Sequence, residues 1–191
     1  MNLFKNITRK TLWTIQKKTP LPVPLFRYIL SFVHDKERYK LKKSENVFVE
    51  IYTSNFWNSS ESKSGTGSTL KATQAIQDSL PTLFAKYAIT SMLDVPCGDF
   101  NWMKLVDKSN LSKYYGGDIV LEEVQKNNEL YSSESITFLH LDITTDDLPK
   151  VDLIFCRDCL QHLSEKKVIK ALNNFKKSDA KYLLVTNYPK T

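Results

Sequence analysis

Apolar positions along this chain settle into alternating rhythms from Ser68 onward. Leu70, Ala75, Ile76, Leu80, Leu83 and Phe84 recur at helical spacing, with Ser68 placed to cap the helix. The compact run Ser91 to Val95 predicts a strand, and an amphipathic pattern restarts near Asn101 as a helix. "KYYGGD" predicts a second strand, and Val120 to Tyr131 a helix with Val124 and Tyr131 inward. "ITFLHLD" and "VDLIFC" predict a third and a fourth strand. A helix with Val168, Ile169, Leu172 and Phe175 on one face follows, and "KYLLVTNY" is the fifth strand. Strands that are short apolar runs, alternating with helices, imply an α/β fold: a doubly wound, mainly parallel sheet of about five strands with helices on both faces.

Ahead of this pattern lies a segment of different character. Residues 1–43 carry eleven Lys and Arg against Asp35 and Glu37, a net of +9 that leaves −3 for the rest of a chain whose total is +6. Phe4, Ile7, Leu12 and Ile15 share one helical face. Two domains follow from this shift: a basic, helical N-terminal arm, residues 1–43, and an α/β domain, residues 44–191. The arm has the chemistry for peripheral contact with an anionic membrane, for nucleic acid or for a transit peptide; a solvated basic helix packed on the domain is the plainer reading. "TPLPVP" around Pro20 to Pro24 marks a turn or linker. The most apolar segment, "LPVPLFRYILSFVH", is broken by Pro22, Pro24 and Arg27, which disfavours a signal peptide or a membrane span. Three cysteines, Cys97, Cys156 and Cys159, do not make a disulfide framework, and the expected location is cytoplasmic, with peripheral membrane contact open to the arm.

The strand pattern also says where chemistry belongs. In an open parallel sheet, ligands sit beyond the carboxyl ends of the strands, near the reversal of strand order. Asp94, Asp118 and Asp142 each end a predicted strand, and successive acids are 24 residues apart, one β-α unit each. Carboxylates on such a rim suit ribose hydroxyls, amines and positive charge. The five glycines, Gly65, Gly67, Gly98, Gly116 and Gly117, fall at or just before this rim, where singly each is a turn residue and together they favour a nucleotide-like ligand. "DVPCGDF" has one glycine where a dinucleotide fingerprint has three, no G-K-[ST] phosphate cradle is present, and Asp99 would repel a pyrophosphate. The ligand expected is a nucleoside without phosphate.

These motifs resemble the class I S-adenosylmethionine-dependent methyltransferases, whose fold is Rossmann-like. "MLDVPCGDFNWM" is similar to their first motif, "YYGGDIV" to the second, "FLHLDITTDDLP" to the adenine-contacting segment and "VDLIFCRDCLQHLS" to the fourth. The likeness is nearest a bacterial branch that also carries a serine-glycine stretch, here "FWNSSESKSGTGS", Phe56 to Ser68, and it runs from about Asn55 to Pro189. It implies S-adenosylmethionine as cofactor, with Asp94 and Gly98 lining the turn for the methionine moiety. Asp118 would then meet the ribose hydroxyls, Asp142 the adenine amino group, and Ile119 and Ile143 would wall the base. Asp99 would touch the cofactor or cap the helix predicted from Asn101. Ser64, Gly65 and the amides of the following helix would cap the cofactor's carboxylate. Pro96 and Phe100 stand at two customary glycine positions of the family's glycine-rich turn, from which this chain departs.

Methyl transfer from a sulfonium asks mainly for alignment and exclusion of water, and a hydroxyl acceptor also needs a base. Asp158 and His162, in "CRDCLQHL", are the candidates; Asp158 pairing with Arg157 and His162 packing at the next helix are the structural alternatives. Cys156 and Cys159 have C-x-x-C spacing but lack further ligands at suitable spacing, so no metal is expected. The family's sheet has seven strands, and the chain is expected to be C-terminally short of it. A methyltransferase acting on a small-molecule or glycan hydroxyl leads; a noncatalytic cofactor-binding module and an RNA-modifying enzyme using the arm are the alternatives.

Overall fold

The structure is a computed structural model in which residues 44–186 are described. The basic arm, residues 1–43, lies outside the described residues, so the readings made for it stay as expectations from the sequence. Contacts divide the chain after Val47, and the sheet and site belong to the unit that begins at Phe48.

The elements run α1 (Ser44–Thr53), α2 (Leu70–Lys86), β1 (Ser91–Asp94), β2 (Lys113–Asp118), α3 (Leu121–Tyr131), β3 (Ile136–His140), β4 (Leu153–Cys156), α4 (Glu165–Lys177) and β5 (Tyr182–Val185). Every strand pairing is parallel, in the order β3-β2-β1-β4-β5, so the winding reverses between β1 and β4. The doubly wound α/β fold expected from the sequence is therefore the fold observed. Side-chain alternation along the strands builds two cores. Met92, Tyr114, Phe138, Leu153 and Phe155 pack with Leu80 and Phe84 of α2 and Val124 of α3 on one face. Leu93, Val95, Ile154 and Cys156 pack with Ala171 and Phe175 of α4 on the other. Gly116 belongs to this packing: a Cβ there would lie 2.5 Å from the Phe138 ring.

Three local expectations differ from what is seen. The helix expected from Asn101 is only a 3-10 turn, Met103–Leu105. Its polar residues end it: Asp107 accepts the Ser109 amide at 2.9 Å, and the Lys108 ammonium donates to the carbonyls of Met103 and Val106. The cap of α2 is Thr69 rather than Ser68, its hydroxyl accepting from Ala72 N, and Leu70 and Ala75 are exposed. On α4 the inward stripe runs through Ala171 and Phe175, leaving Ile169 53% and Leu172 41% exposed. A small residue lets the helix approach the sheet, and the larger neighbours are turned out. At the opposite end of the strands, Asp152 ties the sheet together. Its carboxylate accepts from the amides and hydroxyls of Thr90 and Ser91 and from the Lys181 ammonium. Among the described residues no helix is long and apolar enough to cross a membrane.

Candidate functional site

The reversal of strand order places the carboxyl ends of β1 and β4 side by side, and the turn after β1 is fixed there from both flanks. Val95 N–H donates to Phe155 O at 2.9 Å, and Cys97 N–H to Gly117 O at 2.9 Å. The Val95–Pro96 peptide is cis. Gly98 (φ +56°) and Phe100 (φ +55°) both take left-handed backbone and bracket Asp99. Phe100 accepts that conformation because its ring is buried against Tyr114, Tyr131 and Phe138, with centroids 5.0–5.5 Å apart.

Both polar groups of Gly98 are engaged. Its N–H donates to Asp118 Oδ2 at 2.9 Å, and its carbonyl accepts from Asn127 Nδ2 at 2.7 Å. Asp118 Oδ1 accepts the Val120 amide at 3.0 Å. Burial pushes the Asp118 carboxyl up to about 6 against these stabilising bonds. Asp94 is also buried, accepts the Tyr114 hydroxyl at 2.6 Å and is pushed up by desolvation to about 7. Lys108, over the Phe100 and Tyr114 rings at 5.2 and 5.5 Å, is desolvated and lowered to about 8.

The serine-glycine stretch forms a roof over this turn. Asp99 accepts the Ser62 hydroxyl at 3.0 Å and the Lys63 amide at 2.8 Å, and Ser64 Oγ lies 2.5 Å from the Tyr52 hydroxyl. Tyr52 is buried, and desolvation, then the charges of Asp118 and Asp99, raise its pKa. Lys63 reaches Glu123 Oε1 on the first turn of α3 at 3.4 Å. The other Glu123 oxygen, on a residue 3% exposed, has no hydrogen-bond partner among the described residues. On the β4 side, Arg157 donates to Gly67 O at 2.9 Å, and the Trp57 and His162 rings approach to 5.9 Å. The roof thus spans the turn after β1, the start of α3 and the loop after β4.

Of the expected site residues, Ser64, Gly98, Asp99 and Asp118 come together, with Asp94 beneath the turn on the α2 face. Asp99 tethers the roof and accepts the Asn101 amide at 3.4 Å, with no α-helix there to cap. Gly65 is buried against Trp57, a Cβ there lying 3.1 Å from Trp57 Cβ. The N-terminus of α2 is already engaged, since Glu61 accepts the Leu70 amide at 2.6 Å. Asp142 accepts the amide and hydroxyl of Thr144 at 2.8 and 2.7 Å. Ile143 is packed in the α4-side core, while Ile119 is half-buried at the end of β2. Asp158 (φ +51°) pairs with Arg157 at 2.9 Å. His162 is exposed beside Trp57; partial desolvation lowers its pKa and Asp158 opposes that shift. Cys156 ends β4 and Cys159 opens the next turn. Among the described residues no three His, Cys, Asp or Glu are grouped to hold a metal ion.

Tyr52, Ser62, Lys63, Glu123 and Asn127 were not singled out from the sequence. For the last two a signal existed: Val120, Glu123, Val124, Asn127 and Tyr131 share one helical face, which puts two polar residues on a core-facing stripe.

This donor set fits a nucleoside and does not fit a pyrophosphate. Asp99, Asp118 and Glu123 converge here, and the Gly98 N–H that a phosphate would need is spent on Asp118. The orphaned Glu123 oxygen calls for a donor.

Residues 93–183 match the family model of the methyltransferase domain, a span that opens in β1 and closes in β5. No curated protein matches the sequence. The methyltransferase domain of bacterial CtHen1 is 17% identical over 59% of this chain and 64% of its own, with a TM-score of 0.51. The chain therefore spans less than two thirds of that domain. The N-methyltransferase NodS from Bradyrhizobium japonicum WM9, in complex with S-adenosyl-L-homocysteine, is 15% identical over 67% of each chain, with a TM-score of 0.51. Magnesium protoporphyrin IX methyltransferase from Synechocystis PCC 6803, with bound S-adenosylmethionine, is 15% identical over 79% of each, with a TM-score of 0.52. At these identities the likeness is one of fold: the sheet and its helices have the Rossmann-like architecture of methyltransferase domains.

Proposed function

We propose that the chain is an S-adenosylmethionine-dependent methyltransferase domain whose cofactor lies between the turn after β1, the end of β2 and the serine-glycine roof. The observation that carries this reading is the acid-lined, phosphate-hostile turn at the point where strand order reverses, within a segment that matches the methyltransferase domain. When bound, S-adenosylmethionine supplies a sulfonium-activated methyl group. Asp118 holds the Gly98 turn open in its left-handed form and offers its remaining lone pairs to the nucleoside. Asp94, at the floor, adds negative charge beneath the site when ionised. Ser62, Ser64 and Tyr52 close the roof and limit water.

The acceptor enters from the β4 side, where Asp158 and His162 border the roof. The neighbours' printed names carry acceptors as different as protoporphyrin and N-acetylserotonin, so the acceptor is set by this chain's own loop after β4. A hydroxyl of a small metabolite or glycan fits a loop offering an imidazole whose lowered pKa favours its neutral, proton-accepting form.

Calorimetric titration of the full chain with S-adenosylhomocysteine tests the reading. Binding in the micromolar range, weakened at least about tenfold by Asp118→Ala, is expected. Absence of binding by the wild-type chain refutes it.

A further inference from the structure

Glu123 is a buried carboxylate that the described contacts leave half satisfied. Oε1 meets the Lys63 ammonium at 3.4 Å, whereas Oε2 has no partner, on a residue 3% exposed. A buried acceptor without a donor is unfavourable, and such a group in a folded protein calls for a specific explanation, a functional role among them. The carboxylate lies against the roof: its other oxygen accepts from Lys63, and its charge acts on the Tyr52 hydroxyl together with those of Asp118 and Asp99.

Its neighbour at the end of β2 is more committed. Both Asp118 oxygens already accept backbone amides, from Gly98 at 2.9 Å and Val120 at 3.0 Å. We infer that Glu123 Oε2 accepts a ribose hydroxyl of the bound nucleoside, sharing the vicinal diol with Asp118 and supplying much of the discrimination for it. A neutral hydroxyl is the donor that fits, because Lys63 already places one ammonium on this carboxylate and a second cation there would be repelled. The inference rests on the nucleoside reading of the site. It adds a residue that lies one helical turn beyond the strand-end acid.

The test compares adenosine, 2',3'-dideoxyadenosine and S-adenosylhomocysteine by calorimetry on the full chain, in wild type, Glu123→Met and Glu123→Asp. Met matches the side chain in length and releases the half-exposed Lys63 to solvent; Asp keeps the charge and withdraws it by one methylene. Wild type is expected to prefer adenosine over the dideoxy compound by about 30-fold or more. Both variants should lose about tenfold of that ratio, chiefly by binding adenosine more weakly, with dideoxyadenosine affinity within about twofold of wild type. Thermal unfolding of the unliganded Glu123→Met chain should match or exceed wild type, because a half-satisfied buried charge is removed. A wild-type chain that binds neither adenosine nor S-adenosylhomocysteine overturns the nucleoside reading and the inference with it. Adenosine binding whose preference over the dideoxy compound is the same in wild type and in whichever variant folds overturns the role of Glu123 alone. Weakened S-adenosylhomocysteine binding with adenosine unchanged would assign the oxygen to the amino-acid end and overturn the diol assignment.

Discussion

Replacing Gly98 with alanine strikes the turn on which the proposed site depends. A Cβ at Gly98 would lie 2.1 Å from Ser64 Oγ and 2.9 Å from the Tyr52 hydroxyl, at a backbone φ of +56°. Left-handed backbone costs a non-glycine residue about 1–2 kcal/mol. Displacing Ser64 breaks its 2.5 Å bond to Tyr52 and leaves that buried hydroxyl unpaired, about 1–3 kcal/mol more. The sum, about 2–5 kcal/mol, corresponds to a fall in Tm of about 5–15 °C for a domain of this size. Urea or thermal unfolding measures it, with Gly67→Ala as the control. Gly67 lacks left-handed backbone, and its nearest contact would be Asp158 Oδ2 at 3.4 Å, so its replacement should stay within about 0.5 kcal/mol. Ser64→Ala combined with Gly98→Ala removes the worst overlap, so the pair should cost at least about 1 kcal/mol less than the sum of the singles. A Gly98→Ala chain as stable as wild type, or strict additivity with Ser64→Ala, would refute the account of the turn.

Two further predictions concern the buried acids. Asp94 and Asp118 have pKa values raised to about 7 and about 6, so the native state holds protons that the unfolded chain has released. Stability then falls as pH rises, by on the order of 3–4 kcal/mol between pH 5 and 8, and is regained on acidification. Asp94→Asn, which can still accept the Tyr114 hydroxyl, should flatten that slope; equal urea midpoints for wild type at pH 5 and 8 would contradict it. At the other end of the sheet, Asp152→Ala strands the amides of Thr90 and Ser91 and should cost about 3 kcal/mol in denaturant unfolding. Asp152→Asn should cost less, because its carbonyl oxygen still accepts, and a neutral Asp152→Ala would remove the hub role. The Asp152 carboxyl is held well below the usual range, first by the Lys181 ammonium, so its contribution is present at neutral pH and lost as pH falls below about 4.

Strand identity was legible because each strand is a short apolar run closed by an acid or a turn, a pattern that local physics reads without tertiary help. From this followed the parallel sheet, the reversal of strand order and the rim where Asp94 and Asp118 stand. Patterning misled where side chains compete with backbone or where packing chooses among apolar residues. "NWMKLV" has helical spacing, yet Asp107 and Lys108 take the peptide groups that would have continued it. Ile169 and Leu172 are as apolar as any core residue, but Ala171 set the close face of α4, a choice made by the sheet it packs on.

The sequence by itself determined the α/β alternation and the acids that close β1 and β2, since these depend on residue type and on spacing along the chain; Asp142, expected to close the third strand, falls two residues past β3, which ends at His140. Tertiary structure alone decided that Asp99 fastens the roof, that Asp118 spends both oxygens on the backbone, and that Glu123 is left with one oxygen unanswered. Apart from the Val120 amide, two residues from Asp118, the partners lie 20 to 60 residues away, such as Asp118 to Gly98 and Glu123 to Lys63, and separations of that length carry no local signature.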